Sequence, residues 1–92
     1  MNPDHEYARR MLSDVFADAY LLWAHKNMLP SPREAIIEVT GHKGAVLREE
    51  SLNYWSSFER QCFENKMFPD PVMGFNLILG ELGWSKASRS DA

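Results

Sequence analysis

Apolar residues recur at helical spacing through most of the chain, and the interruptions between them divide it. Ala8, Met11, Leu12, Val15, Ala19 and Leu22 fall on one side of a helical projection. Pro3 suits a first helical position, and Asp4 and Glu6 favour the positive end of the helix dipole. The next proline comes only at Pro30. This pattern predicts one long helix over residues 3–28. Arg10 and Asp14 lie four apart on its other side, a solvated pair worth about 0.2–0.5 kcal/mol. Its last turns, Tyr20-Leu21-Leu22-Trp23-Ala24, are apolar almost all round, as for a helix end sandwiched inside a fold or one forming a contact surface.

A second clear periodic stretch runs from Ser51 to about Met67. Leu52, Tyr54, Trp55, Phe58, Cys62 and Phe63 cover one broad side, and Asn53, Ser57, Arg60 and Glu64 face away. Phe68-Pro69-Asp70-Pro71 breaks it. Asp70 is placed to cap a last helix with Pro71 at its first position, and Gly83 to end it. This last helix is apolar on most faces, which marks it as the central core element. Gly74 and Gly80 weaken it intrinsically, so packing must hold it, with close backbone approach by a neighbouring helix as a reason for them.

Between the first and second stretches, residues 36–48 support two readings. Ser31-Pro32-Arg33-Glu34 is a helix-start signature, and Gly41 is suited to end that helix. Ile36, Ile37, Val39 and Thr40, however, prefer strands, and Gly41-His42-Lys43-Gly44 would close a β-hairpin. The expected fold is therefore mainly α: a small single-domain bundle of three to four helices, with a short β-hairpin at about 36–48 as the variant. Residues 1–84 form the globular part, and 85–92 read as a disordered polar tail.

Composition narrows the class. Ninety-two residues with a hydrophobic fraction of 45% can bury a core without a disulfide or metal staple. The single cysteine, Cys62, cannot pair within the chain and reads as a buried thiol in a reducing compartment. No signal-type apolar segment or membrane-length run is visible, so a cytoplasmic protein is expected. The net charge of −3 is spread evenly, with no lysine or arginine run longer than Arg9-Arg10. Phosphate binding calls for a basic stripe, so nucleic acid is the weaker expectation.

Candidate chemistry is sparse. His5, His25 and His42 are far apart and belong to no metal or nucleophile motif, so no cofactor and no metal are expected. A site assembled from His42, Cys62 and a carboxylate would have to be recognised by geometry. Gly41-x-x-Gly44 lacks the remainder of either nucleotide-binding fingerprint, and it matches the Gly-x-x-Gly of a KH loop in form only. A helix-turn-helix centred on Gly41 puts bulky Ile37 where a small residue is wanted and Glu50 where an apolar one belongs. Its readers would be His42, Lys43, Arg48 and Asn53, a thin set.

Five Phe, three Tyr, three Trp and five Met exceed what a minimal core requires, and these residue types are enriched at contact surfaces. The expectation is a non-enzymatic protein-binding domain, an inhibitor, adaptor or regulator. Its size and composition are similar in character to accessory proteins that phages and mobile elements encode. The alternative is a helix-turn-helix transcriptional regulator. Candidate contact residues are Trp23, His42, Lys43, Tyr54, Trp55, Met67, Phe68 and Trp84, with a homodimer through Tyr20–Ala24 as a further option.

Overall fold

The computed structural model describes residues 3–83, with side chains from Glu6 onward. Four helices follow one another: α1 Pro3–His25, α2 Pro32–Val39, α3 Ala45–Glu64 and α4 Pro71–Glu81. No strand occurs among the described residues. Trp84 and the expected polar tail at 85–92 lie outside them.

The boundaries have local causes. After α1 the chain turns through Asn27 and Met28, both left-handed at φ 58° and 60°, and the Met28 amide donates to the Trp23 carbonyl at 2.7 Å. Asn tolerates that conformation at low cost. Ser31 caps α2 as expected, its Oγ accepting from the Glu34 amide at 3.3 Å, with Pro32 in the first turn. Thr40 closes the other end: its buried hydroxyl donates to the Ile36 carbonyl at 2.7 Å. Pro71 opens α4, whereas Asp70, expected to cap it with its side chain, makes no such bond.

Residues 36–48 are not a β-hairpin. Ile36, Ile37 and Val39 lie in α2, residues 40–43 form a turn, and α3 begins at Ala45, six residues before the expected start at Ser51. Strand preference loses here because Ile36 is fully buried in the shared core and α2 packs closely on α1. A residue's intrinsic preference is worth less than the burial of its side chain. Gly44 makes the switch in direction, at φ 104°, a backbone conformation that L side chains rarely adopt. Ser51 is not a helix start but a buried residue within α3, its hydroxyl returning to the Leu47 carbonyl at 2.8 Å.

All four helices feed one core. Val15, Phe16, Ala19 and Trp23 come from α1, Ala35 and Ile36 from α2, and Trp55, Phe58 and Cys62 from α3. The α4 contribution is Phe75, Ile78 and Leu79, followed by Leu82. Phe75 is the hub, its ring centroid 4.9 Å from Trp55, 5.2 Å from Tyr20, 5.8 Å from Trp23 and 6.4 Å from Phe16. Gly74 lets this ring cluster form. A Cβ there would stand 2.5 Å from the Phe58 ring and 2.8 Å from the Trp55 ring. One ion pair joins α2 to α3: the Arg33 guanidinium donates to Glu59 at 2.6 Å and to Ser56 Oγ at 2.8 Å. Arg33 is 40% exposed, so this pair adds little more than orientation.

Candidate functional site

The short link at residues 65–70 makes α3 and α4 antiparallel neighbours. They are pressed together where Gly74 meets Trp55 and Phe58. From there toward the N-terminus of α3 and the C-terminus of α4, a groove of about 430 Å³ opens between them. Its floor is apolar: Tyr54 and Phe58 from α3, Leu77 and Ile78 from α4. Tyr54 is half-buried and held edge-on against Phe16 at 6.2 Å, so the floor is tied to the core.

The rim is polar and one-sided in charge. Asn53, Ser57 and Gln61 stand four residues apart along α3, one per turn, presenting neutral donors and acceptors. Glu50 and Glu81 add two carboxylates, one from each helix, and no basic residue among the described ones lines the groove. Leu77 projects at the α4 wall with 55% of its surface exposed. An apolar floor with a polar rim is what recognition of an amphipathic partner requires.

The contact residues expected from sequence are dispersed by the structure. Trp23 and Trp55 are buried, at 5% and 2% exposure, around Phe75. Both are corrected from exposed anchors to core, because α4 needs large rings on each side of it. Tyr54 lies in the groove. Phe68 is 87% exposed in the α3–α4 link, beside exposed Met67 and ahead of exposed Val72. His42 and Lys43 are exposed in the α2–α3 turn, at the opposite end of α3 from Phe68. With a rise of about 1.5 Å per residue, α3 holds those two sets roughly 30 Å apart, so they cannot form one site. Of the Tyr20–Ala24 segment, only Leu21 and Ala24 are exposed.

The groove itself was hidden in the sequence. Asn53 and Ser57 read as an outward polar face, and Leu77 as one more residue of an apolar helix. The available signal was the four-residue repeat Asn53-Ser57-Gln61 running beside Tyr54 and Phe58. It has meaning only once α4 is known to lie alongside.

Cys62 is buried late in α3 and His42 sits before its first turn, about 25 Å along the helix axis by the same rise. The composite His–Cys site is therefore not assembled. Among the described residues, no cluster of three or more His, Cys, Asp or Glu side chains could hold a metal ion, and no helix is long and apolar enough to cross a membrane. No protein-family model matches the chain, and no curated protein or solved structure matches it.

Proposed function

We propose that this chain is a non-enzymatic protein-binding domain, an inhibitor, adaptor or regulator that engages its partner through the α3–α4 groove. The observation that carries this reading is the groove itself: about 430 Å³ of open space over an apolar floor between two packed helices, rimmed by polar side chains. Sites mounted on packed helices hold their shape between the free and bound states. The exposed aromatics Phe63 and Phe68 supply further apolar surface at the far end of α3.

The test is affinity capture from the native host with the tagged full chain, read by mass spectrometry and run beside Leu77→Lys. A stoichiometric partner held by the native chain and lost from the variant is the expected result. Recovery of this chain alone would defeat the proposal.

A second reading has one observation in its favour, the α2–turn–α3 connection with His42 and Lys43 exposed at the turn. As a DNA reader, α3 would carry Glu49 and Glu50, both exposed, toward phosphates. That reading requires a salt-sensitive gel shift that weakens in Lys43→Ala. The absence of any shift at low salt would remove it.

A further inference from the structure

The protein-binding reading leaves the chemistry of the partner open, and the groove narrows it. Three features bear on the occupant. The floor is made of helix side chains at one- and four-residue spacing: Tyr54 and Phe58 on α3, Leu77 and Ile78 on α4. From Glu50 to Gln61 the α3 wall runs about 16 Å, three helical turns. Glu50 and Glu81 line the groove, one from each wall, and no cation among the described lining residues offsets them.

We infer that the occupant is an amphipathic α-helix of a partner protein, carrying a lysine or arginine just beyond one end of its apolar stripe. This rests on the protein-binding reading and adds its substrate chemistry. The apolar side chains of such a helix, at i, i+3 or i+4 and i+7, fill the floor. Its cation lies between Glu50 and Glu81, and its flanking polar atoms meet Asn53 and Ser57. Charge complementarity of this kind sets orientation and partner choice. A second copy of this chain fits less well. The groove of a second copy would bring no cation among its described lining residues to meet Glu50 and Glu81. Nucleic acid is disfavoured for the same reason, since its phosphates would meet those carboxylates.

The experiment titrates the isotope-labelled full chain with three synthetic helical peptides of about 18 residues, long enough to outrun the groove. The first carries a leucine stripe ending in two lysines, the second replaces those lysines by glutamates, and the third scrambles the order of the first. The lysine peptide is expected to move the amide signals of Asn53, Ser57, Leu77 and Glu81. It should bind about fivefold to tenfold more tightly than the glutamate peptide, the range for two partly exposed charge contacts. In a Glu50→Gln/Glu81→Gln chain that preference should fall to about twofold or less. Both replaced side chains are exposed, so the variant keeps its fold, which its helical circular dichroism would verify.

Equal binding of the lysine and glutamate peptides would overturn the inference. So would binding no better than the scrambled peptide, no binding at all, or shifts centred on Phe68 instead of the groove. If a captured host protein also holds equally to Leu77→Lys, the protein-binding role survives and the groove assignment fails. If no host protein is captured, the broader reading is the one that fails.

Discussion

Gly74 and Gly80 stand six residues apart on the same helix and have opposite surroundings. Gly74 is buried, and a Cβ there would collide with two aromatic rings of α3. Gly80 is exposed, and a Cβ there would meet nothing within 4 Å. The inner face of α4 is thus fully committed to the fold, with Phe75 at the centre of the ring cluster. Away from that face Leu77 is 55% exposed at the groove, and Gly80 has no described neighbour within 4 Å of a Cβ. Among the described residues this helix is apolar on most of its sides yet buried mainly on one, the pattern that the proposed docking role would use. One glycine is a packing requirement; the other costs helix stability with no close packing among the described residues to require it.

That contrast can be broken from either face. The largest effect is expected at the hub. Phe75→Ala should destabilise the chain by about 3–5 kcal/mol, leaving a cavity among Phe16, Tyr20, Trp23 and Trp55. Chemical denaturation would measure it, and a cost under about 1 kcal/mol would deny Phe75 its central place. Next comes Gly74→Ala, an overpacking change expected to cost about 1–3 kcal/mol, because the Phe58 ring packs on Trp55 and Trp55 on Phe75. A drop in melting temperature of several degrees would report it, whereas an unchanged melting curve would mean that α3 and α4 are not in close contact.

On the outer face the sign reverses. Gly80→Ala should stabilise by about 0.5–1 kcal/mol, since it restores helix propensity and fills open space. A loss of stability there would show that something in the chain does approach Gly80. The smallest effect belongs to Leu77→Lys, expected to change stability by no more than about 0.5 kcal/mol. The same substitution should abolish partner capture, and this separation of folding from binding is the sharpest form of the comparison.

Much of the architecture was readable from local chemistry. Pro3, the Ser31-Pro32 pair and the Asp70-Pro71 pair mark three of the four helix starts, because a proline suits a helix only near its beginning. The start of α3 was the exception. Its first turn, Ala45-Val46-Leu47-Arg48, carries no side-chain cap, and its N-cap is Gly44. A glycine that turns the chain into a helix looks, in sequence, the same as one that closes a hairpin. The β-branched run before it tipped the local evidence further toward strands.

The candidate site was less legible. Trp23 and Trp55 carry the composition of an interface, yet each is buried against Phe75. Aromatic content alone cannot tell a core anchor from a contact anchor, since both exploit the same large apolar surface. Of the expected contact residues that the structure describes, only Tyr54 lines the groove. Leu77, Asn53 and Ser57 gained their place through the neighbouring helix and not through any feature of their own.

By itself the sequence determined the helical class of this protein, three helix starts and the lack of any local catalytic or phosphate-binding motif. These follow from periodicity, capping and residue type, which act over a few residues of chain. Tertiary structure decided that residues 36–39 and 45–48 are helical on either side of a turn, that the tryptophans at 23 and 55 both face inward, why Gly74 is required, and where a groove opens. Each of those depends on which helix lies beside which, and packing between segments tens of residues apart leaves no mark in any short stretch of sequence.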